Sequence, residues 1–139
     1  MTKLKIILID DSSSANLYHN IMMEDAGINV SKSVTQFISS VEAKKYLLEI
    51  YQSNRISDFP TTILLDINIP VINGWQLVEF LEGLNLDNQA PEVFMVSNSR
   101  SPKDLLRAKE HSIVTDILEK HVEVDFFEAL INRRNNKID

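Results

Sequence analysis

The chain has 139 residues, of which 44% are hydrophobic and 24% charged, and its formal net charge is −6 at pH 7. We expect one domain over residues 1–139, because a chain of this length can bury its own core, and the acidic balance argues against direct nucleic-acid binding. Cysteine is absent, which excludes disulfides and thiol chemistry. Two acids interrupt the short apolar run near the N-terminus, so we expect no secretion signal or membrane span and a cytoplasmic location.

Aliphatic and β-branched segments recur along the chain and predict strands at residues 4–9, 28–34, 61–65, 92–96 and 113–118. Helical periodicity lies between the strands. The residues predicted to share one face of each helix are Leu17, Ile21 and Met22; Leu47, Leu48 and Tyr51; Leu77, Val78 and Leu81; Leu105, Leu106 and Lys109; and Phe126, Phe127, Leu130 and Ile131. Ser101 and Pro102 predict where one of these helices begins. Alternating strands and helices indicate an α/β fold with a parallel sheet covered on both faces.

The proportion of apolar residues in each predicted strand indicates the order of the strands in the sheet. Residues 4–9, 61–65 and 92–96 are almost continuously apolar, as expected of central strands buried on both faces. Polar residues interrupt the segments at 28–34 and 113–118, which therefore suit the edges of the sheet. This pattern predicts a flavodoxin-like, doubly wound, five-stranded parallel sheet with strand order 2-1-3-4-5.

Three aspartates follow predicted central strands. Asp10 and Asp11 end the first strand, and Asp66 ends the third. In a doubly wound sheet ligands bind beyond the carboxyl ends of the strands where the order reverses, so these side chains should converge there. Carboxylates so close together repel, and we therefore expect a cation among them. Their oxygens suit Mg²⁺ or Mn²⁺, which keep waters for a substrate phosphate.

Two further polar residues follow the remaining strands of the predicted site. Ser97 ends the fourth strand, and its hydroxyl can donate to a phosphoryl oxygen. Lys120 follows the fifth strand, and its ammonium suits a phosphate. With Asp66 as the nucleophile, this set predicts a phosphoryl-transfer site, where positioning and charge neutralisation carry most of the catalysis.

Four motifs stand out along the chain: "ILIDDSSSA", "LLDINIPVINGW", "MVSNS" and "ILEK". In these motifs, and in their order and spacing, the chain resembles the receiver domain of two-component response regulators, as in single-domain chemotaxis-type proteins. The resemblance covers nearly the whole chain and implies that Asp66 is the phosphoacceptor. The implied metal ligands are Asp10 through water, Asp11 and Asp66 through their side chains, and Asn68 through its backbone carbonyl. Ser97 and Lys120 are implied to contact the phosphoryl group.

The resemblance implies a signalling protein that a histidine kinase or a histidine phosphotransfer protein phosphorylates on Asp66. It would act on a downstream protein by contact, with no direct nucleic-acid or membrane partner, and would not be an enzyme beyond its own phosphorylation and dephosphorylation. One alternative is a degenerate receiver that binds partners without phosphorylation. Another is a haloacid-dehalogenase-type phosphatase, although that family carries a second aspartate where this chain has Asn68.

The chain departs from the receiver pattern at three positions. His121 stands where the family usually has proline, so we expect a trans bond between Lys120 and His121. Ile117 replaces a Tyr or Phe, and we expect its side chain to stay packed in both signalling states. Asn98 replaces a small residue near Asp66. For His121 and the other histidines, His19 and His111, the sequence indicates structural or surface roles.

Overall fold

The computed structural model describes residues 3–136. Its sheet has five parallel strands in the order β2-β1-β3-β4-β5, as the sequence predicts. The strands are β1 (Ile6–Ile9), β2 (Val34–Phe37), β3 (Thr62–Asp66), β4 (Glu92–Ser97) and β5 (Val114–Glu119). Strands β1 and β3 are buried along their whole length, because each has a strand on both sides and helices on both faces.

The helices are α1 (Ser13–Asp25), the short α2 (Val30–Ser33), α3 (Ser40–Gln52), α4 (Gly74–Gly83), α5 (Pro102–Lys109) and α6 (Val124–Asn136). Two 3₁₀ turns, Ile56–Asp58 and Asp87–Gln89, lie in the connections before β3 and β4. The predicted start of α5 is confirmed, because the Ser101 hydroxyl accepts a hydrogen bond from the Asp104 amide and Pro102 is the first helical residue. Within residues 3–136, no helix has both the length and the apolar character needed to cross a bilayer.

Apolar side chains form a core on each face of the sheet. Successive strand residues point to opposite faces, so Ile7 of β1 packs with α3 and α4 while Leu8 packs with α1 and α6. In β3, Leu65 lies in the first of these cores and Leu64 in the second. Helices therefore cover both faces of the sheet, as predicted.

The predicted position of the second strand is wrong. Val30–Ser33 form the short helix α2, and β2 begins only at Val34. Val30 and Val34 both pack on the core. Apolar residues four positions apart share one face in a strand and also in a helical turn, so their spacing alone does not distinguish the two structures.

The apolar face predicted for α1 is also wrong, because Leu17 and Ile21 are 62% and 46% exposed. The buried face of α1 consists of Ala15, Asn16, His19 and Met23. Its two polar members are tolerated because each makes a hydrogen bond to the main chain of a neighbouring segment. Leu106 of α5 is likewise 65% exposed, and Leu105 packs against the core instead.

Candidate functional site

The predicted site residues meet at the carboxyl edge of the sheet. Asp10 directly follows β1, Asp66 ends β3, Ser97 ends β4 and Lys120 directly follows β5. The Lys120 ammonium lies 2.9 Å from Asp10 Oδ2 and 3.4 Å from Asp66 Oδ2. Parallel strands thus bring together charged residues that lie far apart in the sequence.

The carboxylates form a compact cluster. Asp10, Asp11 and Asp66 each offer an oxygen, and these oxygens lie within 4.8 Å of one another. Asp10 and Asp66 are 2% and 6% exposed, whereas Asp11 is exposed to solvent. A set of oxygen donors that is open on one side fits Mg²⁺ or Mn²⁺, which bind a few carboxylates and retain water ligands. Asn68, the predicted carbonyl ligand, is exposed two residues beyond Asp66.

Local hydrogen bonds orient the two buried carboxylates in the same way. Asp10 Oδ1 accepts the Ser12 N–H at 2.9 Å, and Asp66 Oδ1 accepts the Asn68 N–H at 3.0 Å. Each aspartate thus binds the amide two residues further on, as aspartates in turns commonly do. The second oxygen of each carboxylate, Oδ2, faces the Lys120 ammonium.

The charges in the site shift the proton affinities of its groups. Burial raises the pKa of Asp66; the charge of Asp10 adds to this effect, while the Asn68 N–H and Lys120 oppose it. Burial acts to lower the pKa of Lys120, but hydrogen bonds and charge attraction from Asp10 and Asp66 outweigh it, so the pKa is raised. Lys120 is therefore a cation at neutral pH and offsets part of the carboxylate charge.

Ser97 is buried and bonded within its own loop. Its hydroxyl donates to the Ser99 carbonyl oxygen at 2.6 Å and accepts the Ser99 N–H at 3.3 Å. Its backbone carbonyl accepts the Lys120 N–H at 2.8 Å, which ties the end of β4 to the end of β5. To donate to another group, the hydroxyl must first leave Ser99.

Gly74 supports the site in a way that the sequence analysis missed. A Cβ atom there would lie 2.8 Å from the Asp66 backbone oxygen and 2.8 Å from Ile67 Cα, closer than real Cβ contacts allow. A residue without a side chain therefore lets α4 start directly against the end of β3. Asn73 caps this helix in a capping box with Gln76, so the Asn-Gly pair before an apolar periodic segment was the available signal.

The bond between Lys120 and His121 is cis, so the predicted trans bond is wrong. Tertiary hydrogen bonds hold the turn on both sides. The Lys120 N–H donates to the Ser97 carbonyl oxygen at 2.8 Å, and the Val122 N–H donates to His19 Nε2 at 3.0 Å. Contacts with β4 and α1 accompany this conformation, which local residue preference alone does not predict.

Solved structures with the same fold match nearly the whole chain. A two-component response regulator from Cytophaga hutchinsonii is 24% identical with a TM-score of 0.79, over 99% of this chain and 100% of that chain. A response regulator receiver protein from Dyadobacter fermentans is 25% identical with a TM-score of 0.76, over 94% and 97%. A chemotaxis protein from Vibrio cholerae is 21% identical with a TM-score of 0.68, over 94% and 97%. The chain has the receiver-domain fold.

No protein-family model and no curated protein matches the sequence.

The structure locates the three residues that depart from the receiver sequence pattern. Ile117 is 2% exposed within the core between the sheet and α3, α4 and α5. Asn98 is exposed beyond the end of β4, and His121 is exposed after β5. All three lie on β4 or β5 or in the loops that follow these strands, whereas the acidic cluster belongs to β1 and β3.

Proposed function

We propose that this receiver-fold protein is the phosphoacceptor of a two-component phosphorelay. Asp66 takes a phosphoryl group from the phosphohistidine of a histidine kinase or of a histidine phosphotransfer protein in a reaction that requires Mg²⁺ or Mn²⁺. The modified protein then signals by contact with a downstream protein. The observation that carries the proposal is the convergence of Asp10, Asp11 and Asp66 with Lys120 at the carboxyl edge of a receiver sheet.

The proposed transfer forms a bond between a carboxylate oxygen of Asp66 and phosphorus, while the phosphorus–nitrogen bond of the phosphohistidine breaks. The electron pair of that bond remains on the imidazole nitrogen. Asp66 suits the role of nucleophile for two reasons. Its Oδ1 accepts the Asn68 N–H at 3.0 Å, which fixes the orientation of the carboxylate. Burial raises the pKa of Asp66, so its oxygens are more basic.

Positive charge around the phosphoryl group is the main requirement of this reaction. A divalent ion held by Asp10, Asp11 and Asp66, with the Asn68 carbonyl, would supply charge to the phosphoryl oxygens. Lys120 would contact one of these oxygens, since its ammonium already lies within 3.4 Å of Asp66 Oδ2, and the Ser97 hydroxyl would donate to another. The protein would act only on its own phosphoryl group, so we propose an acceptor and not an enzyme with a separate substrate.

The proposal is tested by incubating the purified protein with acetyl phosphate and Mg²⁺ and measuring its intact mass. We expect one added phosphoryl group that neutral hydroxylamine removes, as for an acyl phosphate. Asp66→Asn should prevent the modification, since an amide is a far weaker nucleophile than a carboxylate. Asp25→Asn, at the exposed end of α1, is the matched control and should be modified like the wild type.

Each outcome favours a different function. Modification of Asp66→Asn to the wild-type extent would place the acceptor elsewhere. A wild-type protein that is never modified would favour the interaction module that works without phosphorylation. Continuous release of phosphate from acetyl phosphate, without accumulation of the modified protein, would favour a phosphatase.

A further inference from the structure

His19 is a buried polar side chain of α1 that the proposed reaction does not use. It is 1% exposed, and its Nε2 accepts the backbone N–H of Val122 at 3.0 Å, across 103 positions in the chain. Its Nδ1 has no hydrogen-bond partner among the residues that the structure describes. A ring that accepts at Nε2 carries its proton on Nδ1, so His19 is a neutral hydrogen-bond acceptor here.

The surroundings keep this acceptor available. The pKa of His19 is lowered to about 4, mainly by burial; the charges of His121 and Lys120 also lower it, whereas the charge of Asp10 opposes the shift. The ring is therefore neutral around pH 7, and the lone pair on Nε2 is free to bind an N–H group.

The hydrogen bond from Val122 holds one end of the turn that carries Lys120. This turn joins β5 to α6. At its start the Lys120 N–H donates to the Ser97 carbonyl oxygen at 2.8 Å, and at its end His19 binds Val122. The turn is thus held on one side by β4 and on the other by α1.

The same face of α1 also holds the partner of Lys120. Asn16, three residues before His19, donates its side-chain N–H to the Asp10 carbonyl oxygen at 2.9 Å. Residues three apart share one helix face. One face of α1 therefore binds both the backbone of Asp10 and the end of the turn that carries Lys120. The side chains of Asp10 and Lys120 form the ion pair of 2.9 Å.

We infer that His19 is a positioning residue for Lys120: by accepting the Val122 N–H it holds the turn after β5 so that the Lys120 ammonium lies between Asp10 and Asp66. The significance of this position for phosphoryl transfer rests on the proposed function. The position itself is a property of the molecule and can be measured without any phosphoryl donor.

A role in packing alone would have a different signature. The His19 ring also packs against Phe127, a member of the core between the sheet, α1 and α6, with ring centroids 6.5 Å apart, and against His121 at 5.9 Å. If packing were its only role, His19→Leu would preserve it better than His19→Gln. If His19 positions Lys120, the order reverses, because the glutamine amide oxygen can replace Nε2 as an acceptor and leucine cannot.

The decisive measurement is the rate at which an amine-reactive reagent labels Lys120, followed by peptide mass spectrometry. Lys120 has 10% of its side chain exposed, whereas Lys45 on α3 is exposed and serves as the internal standard. We expect labelling of Lys120 to be about tenfold faster in His19→Leu, because a buried N–H loses its acceptor and the turn opens more often. In His19→Gln the rate should stay within about twofold of the wild type, and Lys45 should not change.

A second variant covers the case in which His19→Leu fails to fold. His19→Asn has a side chain too short to reach Val122, so it should label fast, like the leucine variant, while His19→Gln stays slow. Equal labelling of Lys120 in the asparagine or leucine variant and in the glutamine variant would overturn the inference. So would faster labelling in His19→Gln than in His19→Leu.

Phosphorylation provides a separate arm. With acetyl phosphate and saturating Mg²⁺, we expect His19→Leu to be modified about tenfold more slowly than His19→Gln, without weaker Mg²⁺ binding, since the carboxylates lie at the ends of β1 and β3. Equal rates in these two variants would overturn the functional part of the inference. If the wild type is not phosphorylated at all, the proposed function fails, and the labelling experiment still decides whether His19 positions Lys120.

Discussion

Asp10 and Asp66 each use one carboxylate oxygen for a local turn and present the other to Lys120. This division of roles explains how two buried like charges coexist in the site. The turns fix the orientation of both side chains, and the ammonium between them offsets their repulsion. Removing one partner of such a buried set would leave an uncompensated charge, so Lys120 also stabilises the structure of the site.

His19 leads to a prediction about pH at the residue scale. Its pKa is about 4 in the folded protein, compared with 6.5 as the ordinary value. Between these values the unfolded chain binds a proton at His19 and the folded protein does not. Protonation of His19 in the unfolded chain therefore lowers the free energy of unfolding as the pH falls from 6.5 to about 4, by up to about 3 kcal/mol. Above pH 6.5 this effect is absent.

Urea unfolding of the wild type and of His19→Gln across this pH range measures the effect. Glutamine does not titrate, so the difference between the two pH profiles isolates His19 from the carboxylates that titrate in both proteins. We expect the wild type to lose more stability on acidification. Parallel profiles would contradict the shifted pKa.

At the scale of elements, the buried face of α1 can be tested with two residues of the same helix. Met23 is fully buried, whereas Leu17 is 62% exposed. We expect Met23→Ala to lower the free energy of unfolding by about 2–5 kcal/mol, because it leaves a cavity in the core. Leu17→Ala should change it by less than about 0.5 kcal/mol. Chemical denaturation of both variants makes the comparison, and similar losses would show that the face is wrongly assigned.

Side-chain contacts join α4 to α5, the helix that follows the loop after Ser97. The Trp75 indole N–H donates to Asp104 Oδ1 at 3.1 Å, and the Arg107 guanidinium lies over the Trp75 ring at 5.1 Å. Asp104 also receives the Ser101 hydroxyl at 3.0 Å at the start of α5. The segment from Ser97 to α5 is therefore anchored at both ends, at β4 and at α4.

This arrangement predicts where phosphorylation is read out. If the Ser97 hydroxyl turns to the phosphoryl group, it must release Ser99, so residues 97–106 should move while the buried Ile117 stays in place. With Mg²⁺ and beryllofluoride we expect the NMR shift changes to concentrate in residues 97–106, and Ser97→Ala to reduce phosphorylation-dependent partner binding. Unchanged partner binding in Ser97→Ala, or a rotamer change of Ile117 as large as the movement of Ser97, would show that the output lies elsewhere.

At the scale of the whole molecule, ion binding is coupled to stability. If Mg²⁺ binds only the folded protein, a concentration 100 times its dissociation constant raises the free energy of unfolding by about 2.7 kcal/mol. Asp11→Ala should lose most of this increase, because Asp10 and Asp66 alone would fill too few of the ion's coordination positions. Without the ion this variant should differ from the wild type by less than about 0.5 kcal/mol.

Thermal and urea unfolding with and without Mg²⁺ provide this measurement. Asp25→Asn is again the control, since it removes an exposed charge away from the cluster. The same increase in Asp11→Ala as in the wild type would show that the ion does not bind at the three carboxylates.

The order of the strands and the convergence of the acids could be predicted because they depend on burial. Central strands of a parallel sheet must be apolar throughout, and this requirement marks β1, β3 and β4 in the sequence. The position of β2 and the buried face of α1 could not be predicted in this way. At an edge strand the apolar pattern is weak, and on α1 two polar residues are buried because tertiary hydrogen bonds satisfy them.

By itself, the sequence determined the fold class, the strand order and the presence of Asp10, Asp11, Asp66, Ser97 and Lys120 at the strand ends, because strand burial and strand ends leave local patterns of residues. Only the tertiary structure decided how the Lys120 side chain is held. The turn after β5 depends on the Ser97 carbonyl and on His19, residues 23 and 101 positions before Lys120 by their numbers in the chain. Such contacts have no local periodicity, because they arise only when β4 and α1 pack beside the turn.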